Sequence, residues 1–339
     1  MSINTGDKLK IWFADMWPLF QYDNNYFYHL LNTEYDVELD EDNPDIMFYS
    51  CDPYRDQQRK YHTSKIAKRV FYTMEGIPPK LDSETTYPPE ITITSKVGNT
   101  TTYMDPLSDL TGDSEDSNRP CYYYEKCDFA LTHDVLSDSR HKRFPYWAYH
   151  IDWFNQSSYS DPDLLVSEAD IANNDYRNAA KTKFCVTFFN NPVSNRLQTY
   201  QKLNEYKEVD GYGDYFDNGF FPWEEKKLEI LKNYKFCICF ENKVREGYHT
   251  EKLYHAKLAG AIPIYWGHAS ASNDFNPNCF LNLNDFDSVD ALVERVKEID
   301  SDDSLYQQYV SEPLFSGGSV PDEFKPSSVL NFFKDTVLA

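Results

Sequence analysis

Short apolar runs alternate with amphipathic stretches through most of the chain. Lys10-Ile-Trp-Phe-Ala reads as a buried strand, residues 24–31 as a helix turning Phe27, Leu30 and Leu31 inward, and Asp45-Ile-Met-Phe-Tyr-Ser as a second strand entered from the Asn43-Pro44 turn. Residues 64–67 lead into a third strand, Arg69-Val-Phe-Tyr-Thr, which stops at Met74-Glu75-Gly76-Ile77-Pro78-Pro79. Strand, helix, strand, helix, strand predicts a parallel open sheet, and ligands bind at the carboxyl ends of such strands. Glu75 sits at one of those ends. Over 82–119 the pattern dissolves into Ser, Thr, Asp, Pro and Gly, which reads as a long surface excursion. Order resumes at Cys127-Asp-Phe-Ala-Leu and Phe144-Pro-Tyr-Trp-Ala-Tyr, and the polar residues 161–174 read as the passage between two domains.

The second half repeats the rhythm. Lys183-Phe-Cys-Val-Thr-Phe-Phe, Phe236-Cys-Ile-Cys-Phe and Ile262-Pro-Ile-Tyr read as strands, with helices over 195–206, 223–233 and 250–259, the last closed by Gly260. Helical periods recur at Val289, Leu292, Val293, Val296 and Ile299, and again at Val329, Leu330, Phe333 and Val337. The expected fold class is α/β, with two Rossmann-like doubly wound domains facing a cleft. Residues 1–165 are expected to form the first domain, 166–325 the second, and 326–339 a C-terminal helix.

Composition narrows the partners. With 33 Lys and Arg against 55 Asp and Glu, the chain carries a formal charge of −22 at pH 7. So acidic a surface repels phosphate backbones and anionic lipid, which argues against nucleic acid and membrane surfaces. Aromatic residues reach 17%, which suits a large core and a cleft that stacks bases or sugars. The apolar run at 11–20 is broken by Asp15 and Pro18, and no run of about 18 apolar residues occurs, so neither a targeting signal nor a membrane span is expected. The 7 cysteines lack paired spacing, the pattern of a reduced, cytoplasmic protein. Asn99-Thr-Thr and Asn155-Gln-Ser match the glycosylation acceptor pattern, one short enough to recur by chance. Cys237 and Cys239 alternate on a strand and read as core thiols rather than zinc ligands. The Gly-rich dinucleotide fingerprint and the phosphate-loop lysine motif are absent, which argues against a dinucleotide oxidoreductase or an NTPase.

The richest segment for chemistry runs from Phe236 to Gly267. A strand leads to a polar loop, a helix that Thr250 is placed to cap, and another strand. Tyr248, Glu251, Lys252 and His255 fall at i, i+3, i+4 and i+7, along one helical face. Between 226 and 257 there are eight Lys and Arg against four Glu, locally +4 in an acidic chain. Positive side chains at a helix N-terminus after a parallel strand make an anion site suited to a phosphate-bearing ligand. On spacing alone the same residues also fit a solvated amphipathic helix decorated with Glu–Lys pairs.

Phe240-Glu241-Asn242, Tyr248-His249-Thr250-Glu251-Lys252-Leu253, Ala259-Gly260 and Ile262-Pro263-Ile264 together resemble the signature of the α1,3-fucosyltransferase family. Weaker echoes lie in Phe189-Asn-Asn-Pro-Val-Ser-Asn-Arg196-Leu, in the turn-like Val209-Asp-Gly-Tyr-Gly and in Cys279-Phe-Leu-Asn-Leu-Asn-Asp-Phe. Arg69-Val-Phe-Tyr-Thr-Met-Glu75 resembles the strand ending in the family's catalytic carboxylate, with Met74 where the family usually has glycine. The resemblance implies the GT-B glycosyltransferase fold, with the helix at 326–339 crossing back onto the first domain, and an inverting transfer of L-fucose from GDP-fucose to a glycan hydroxyl, O3 of a GlcNAc unit. No cofactor or metal is then required. Glu75 would be the general base, Arg196 and Lys252 would stabilise the GDP leaving group, Asn242 and Tyr248 would hydrogen-bond phosphate, and Glu251 would hold ribose or fucose hydroxyls. The partners so implied are GDP-fucose and an oligosaccharide or glycoconjugate acceptor. Without an anchor, the chain resembles bacterial or viral members working in the cytoplasm.

Asp40-Glu-Asp42, Asp161-Pro-Asp163 and Asp285-Phe-Asp287 match the Asp-x-Asp pattern of metal-using glycosyltransferases, but a chain this acidic produces such triplets by chance. His249, His255 and His268 lie close to the signature, and a lone histidine is more often structural than catalytic. Two other readings stay open. One is a same-fold inverting glycosyltransferase using another nucleotide sugar. The other is a non-catalytic glycan-binding protein on a decayed transferase scaffold, against which the intact set of Arg196, Asn242, Tyr248, Glu251 and Lys252 argues.

Overall fold

The computed structural model describes residues 8–50, 67–76, 79, 81, 127–173, 180–190, 192, 194–216 and 224–339. The excursion expected over 82–119, the approach at 64–66 and Asn99 lie outside these residues. The first sheet contains β1 (Lys8–Ala14), β2 (Asp36–Leu39), β3 (Ile46–Tyr49), β4 (Lys68–Tyr72), β5 (Phe129–Thr132) and β6 (His141–Arg143). Their order is β2-β1-β3-β4-β5-β6, with the pairings parallel. The second sheet contains β7 (Lys183–Phe188), β8 (Val209–Tyr212), β9 (Tyr234–Ile238), β10 (Ile262–Tyr265) and β11 (Leu281–Asn282) in the order β11-β10-β9-β7-β8, again parallel. In each sheet the winding reverses beside the first strand, between β1 and β3 and between β7 and β9. This is an α/β fold of two doubly wound, Rossmann-like domains, and a ligand crevice opens where winding reverses.

The strands read as continuous apolar runs because both faces of a parallel sheet are covered. Ile46 and Phe48 of β3 join one core cluster with Phe13, Phe27 and Tyr72, whereas Met47 and Tyr49 join Phe71 on the opposite face. Phe236 and Ile238 of β9 pack with Ile262 and Ile264, while Cys237 and the following Cys239 turn to the other side. Among the described residues Cys127, Cys185, Cys237, Cys239 and Cys279 are buried free thiols.

The chain ends on the first sheet. Helix Pro326–Phe332 and the turn after it bring Phe333 within 5.7 Å of Phe48, ring to ring. Lys142 donates to Ser328 at 2.9 Å, Lys334 pairs with Glu34 at 2.8 Å, and Lys68 reaches the Val337 carbonyl.

Within the described residues 161–173, between the two sheets, Leu165 and Ile171 are buried, Glu168–Asn173 is helical, and Val166 bridges Ile151. Sparse apolar anchors hold this segment in the core despite its polar composition. Val209-Asp-Gly-Tyr-Gly is not a turn over its length but edge strand β8 paired with β7. The turn comes at Gly213, where φ is +126° and an added Cβ would lie 2.2 Å from the Phe189 carbonyl oxygen. Among the described residues no helix is long and apolar enough to cross a membrane.

Candidate functional site

The reversal of winding between β7 and β9 brings two signature segments together. Helix Ser194–Tyr206 follows β7 and contributes Arg196 from its first turn. The chain leaving β9 contributes Glu241 and Asn242. Arg196 is buried, and its Nη2 donates to the Phe240 carbonyl and, at 2.6 Å, to Asn242 Oδ1. That bond fixes the exposed Asn242 amide with its oxygen inward, so its NH₂ is the end offered to a ligand. Burial is the largest influence on Arg196 and lowers its pKa from the ordinary value, yet a guanidinium stays charged at neutral pH.

Helix Glu251–Leu258 begins beside this pair. Thr250 stands at its N-cap position but makes no side-chain cap, contrary to expectation. Its backbone N–H instead donates to Glu241 Oε1 at 2.8 Å and its hydroxyl to Glu241 Oε2 at 2.8 Å. The hydroxyl thus donates to a fully buried carboxylate, and on its acceptor side it meets the Lys252 ammonium rather than a helix N–H. Lys252 Nζ donates to Thr250 Oγ1 at 2.9 Å and lies 3.3 Å from Glu241 and 3.8 Å from Glu251. Burial pulls the Lys252 ammonium down, and the Glu251 and Glu241 carboxylates more than offset that, so its pKa is raised. Burial pushes the Glu251 carboxyl up, but Lys252 and Lys227 hold it well below its ordinary range.

Lys227 is a site residue that the sequence reading passed over. It is buried, and its Nζ lies 3.3 Å from Glu251 Oε1. The signal was its spacing: it stands four positions before buried Leu231, on the inward face of helix Glu224–Leu231. The local excess of +4 over 226–257 does not converge as expected. Lys232 pairs with Glu229, Lys235 with Asp300 and Arg245 with Asp134, while Lys257 donates to the Tyr309 carbonyl. Arg196, Lys252 and Lys227 gather beside the carboxylates Glu241 and Glu251.

Tyr248 does not share the helical face expected of it. It precedes the helix, in a turn whose N–H donates to the Arg245 carbonyl at 3.1 Å, because Gly247 at φ +77° breaks the helical path. The buried Tyr248 ring meets His133 of the first domain edge-on at 4.8 Å between centroids. Burial first, then the Glu75, Glu241 and Glu251 carboxylates, raises its hydroxyl pKa well above the ordinary value. Glu75 is exposed just past β4, with its N–H on Thr73 Oγ1 at 3.0 Å. The next residue, Gly76, faces the second domain: a Cβ there would lie 3.2 Å from Lys243 and 3.8 Å from Tyr248. Glu75 and the Arg196 cluster therefore border one crevice from opposite domains.

The histidines near the signature take packing or hydrogen-bonding positions. His249 Nδ1 lies 2.7 Å from Asp274 Oδ2 and its Nε2 3.1 Å from Ser270 Oγ. His268 Nδ1 is 2.8 Å from the same hydroxyl. His255 is buried edge-on against His150, with 4.8 Å between ring centroids. Among the described residues no group of three or more His, Cys, Asp and Glu could hold a metal ion.

Comparisons with known proteins bear on both halves. The family model described as glycosyltransferase family 10 (fucosyltransferase) C-term matches residues 178–311, and the one described as alpha-(1,3)-fucosyltransferase FucT N-terminal domain matches residues 11–150. The alpha-(1,3)-fucosyltransferase FucT of Helicobacter pylori is 36% identical over 123 residues, covering 36% of this chain and 25% of that protein. The 4-galactosyl-N-acetylglucosaminide 3-alpha-L-fucosyltransferase 9 of Mus musculus is 32% identical over 121 residues, 35% of this chain and 33% of its own length. The chain thus spans a third or less of these relatives. A crystal structure of an α1,3-fucosyltransferase with GDP-fucose superposes with a TM-score of 0.65 at 23% identity, covering 100% of this chain and 92% of that one, a likeness of fold. Matched in both of its sheet-bearing halves, the chain belongs to the family 10 fucosyltransferases and has their GT-B fold.

Proposed function

We propose that this protein transfers L-fucose from GDP-fucose to a glycan hydroxyl, O3 of a GlcNAc unit, with inversion at the sugar's anomeric carbon. The observation that carries this reading is the Arg196–Asn242 pair beside Lys252 and Glu251, at the C-terminal ends of β7 and β9. The family's description and the Helicobacter pylori and mouse relatives' names support fucosyl transfer, and the fold neighbour crystallised with GDP-fucose supports the donor.

The donor's diphosphate meets the cationic side of the crevice. Arg196 offers its guanidinium charge to phosphate oxygens, Lys252 a point charge, and Asn242 its outward NH₂. Tyr248 adds a hydroxyl, while Glu251, ionised between Lys227 and Lys252, accepts from ribose or fucose hydroxyls. As the bond between the fucose anomeric carbon and the GDP oxygen breaks, negative charge grows on the diphosphate, where fixed cations stabilise it most. The acceptor oxygen attacks from the opposite face and its proton passes to Glu75, the general base. The residues at hand perform these steps without a resident cofactor. The work is cytoplasmic, with residues 1–165 holding the acceptor and 166–325 the donor.

Thermal stabilisation across a panel of nucleotides, with EDTA present, tests the reading. GDP and GDP-fucose should raise the melting temperature and UDP should not. Stabilisation by UDP instead would move the chain to another donor sugar. GDP binding without turnover on any glycan acceptor would leave only a binding protein.

A further inference from the structure

The loop bearing Tyr248 belongs to the second domain, but much of what holds it comes from the first. Arg143, at the end of β6, donates from Nη1 and Nη2 to the two oxygens of Asp274 at 2.8 and 2.7 Å. The same Nη2 donates to the Gly247 carbonyl at 3.1 Å, and Nε to the His133 carbonyl at 3.1 Å. One guanidinium thus joins three backbone or side-chain groups on both sides of the domain boundary. Asp274, nearly fully buried, also accepts from Trp147 Nε1 at 3.1 Å and contacts His249 Nδ1 at 2.7 Å. Burial pushes its carboxyl up, but His249 and Arg143 hold it well below the ordinary range.

These bonds bracket Tyr248. On its N-terminal side, the Gly247 carbonyl is held by Arg143, and the Gly247 N–H donates to Ser270 Oγ at 3.1 Å. On its C-terminal side, His249 is pinned between Asp274 and Ser270. Gly247 cannot be replaced without moving the loop, since at φ +77° its Cβ would sit 2.2 Å from the His133 carbonyl oxygen. A second tie runs from Arg245 Nε to Asp134 Oδ1 at 2.6 Å. With both neighbours fixed, Tyr248 has little freedom to leave the crevice.

We propose that Arg143 is a positioning residue for the donor loop: acting through Asp274, Gly247 and His249, it sets the place of Tyr248, so that donor affinity depends on a first-domain side chain assigned no donor contact. The proposal rests on reading residues 242–252 as the GDP-fucose site. A bidentate guanidinium is required, because an ammonium cannot span both Asp274 oxygens and the Gly247 carbonyl in one plane. Removing Arg143 leaves Asp274 with Trp147 and His249, whereas removing Asp274 would strand two buried donors, so Arg143 is the better site to change.

GDP titration calorimetry on the full chain, with donor-saturation kinetics and a melting curve for each variant, provides the test. Arg143→Met should weaken GDP binding at least about 5-fold, the size of effect expected when one member of a coupling network is removed. It should raise the donor KM more than it lowers kcat. Arg143→Lys should recover only part of the affinity. A folded Arg143→Met protein binding GDP as tightly as wild type overturns the proposal while leaving the donor site intact. A wild-type chain that binds no GDP overturns the donor reading and the positioning role with it. Should Arg143→Met fail to fold, His249→Asn decides by the same criterion, since asparagine keeps a donor for Asp274 but cannot also reach Ser270.

Discussion

Lys252 Nζ stands 3.3 Å from the Glu241 carboxylate, the same carboxylate that takes the backbone N–H and hydroxyl of Thr250. The cation is therefore anchored before any ligand arrives, and its charge faces the crevice without the entropy cost of ordering a free lysine side chain. Lys252→Ala should weaken GDP binding by about 1.5–3 kcal/mol, the range for hydrogen bonds to charged groups. It should also lower the melting temperature, because Glu241 and Glu251 lose a neighbouring cation. Calorimetry with GDP checks the first effect, and unchanged affinity would remove Lys252 from the donor site.

Glu75 lies on the other domain, and its substitution should have the opposite signature. Glu75→Gln preserves size and hydrogen bonding but cannot take a proton at neutral pH. GDP affinity should stay at the wild-type value, while turnover falls at least ~100-fold, the usual scale for losing a general base. Full turnover in this variant would end the base assignment without touching the donor site.

These two residues also show what the chain makes legible. Glu75, Arg196, Asn242, Glu251 and Lys252 stand beside strand ends, and strands such as β3, β4, β7, β9 and β10 announce themselves because burial makes them nearly continuous apolar runs. Edge and very short strands do not: β8 reads Val-Asp-Gly-Tyr and β6 only His-Lys-Arg, sequences whose strand character comes from pairing with a neighbour. The cross-domain part of the crevice is hidden for a related reason. Arg143 and Asp274 are 131 positions apart, and nothing local to either says that they meet. Lys227 was within reach, since a lysine on the inward face of a helix demands a buried partner. Thr250 shows the limit of local rules, because capping preference yields when the hydroxyl is engaged by a buried carboxylate on one side and an ammonium on the other.

The seam between the domains should make the protein sensitive to mild acid. His150 of the first domain and His255 of the second meet edge to face with 4.8 Å between ring centroids, and neither ring has a hydrogen-bond partner among the described residues. Burial lowers His150 from 6.5 to about 3, partly opposed by Glu251 and reinforced by Lys227 and Lys252, and lowers His255 well below its ordinary value. Between pH 6.5 and 3 the unfolded chain therefore takes up a proton at His150 that the folded chain refuses, so stability falls as pH falls. His150 alone contributes a slope of about 1.4 kcal/mol per pH unit below its unfolded pKa. Glu251 and Asp274, held low by their cations, lose their contribution only as pH falls below about 4.5, the start of the ordinary carboxylate range. The interval from pH 7 to 5 thus isolates the histidines. The melting temperature should drop across it, and His150→Phe, which keeps a ring against Tyr146 and His255 but has no proton to gain, should drop less steeply. Parallel melting curves for the two proteins would show that the buried pair does not set the acid limit.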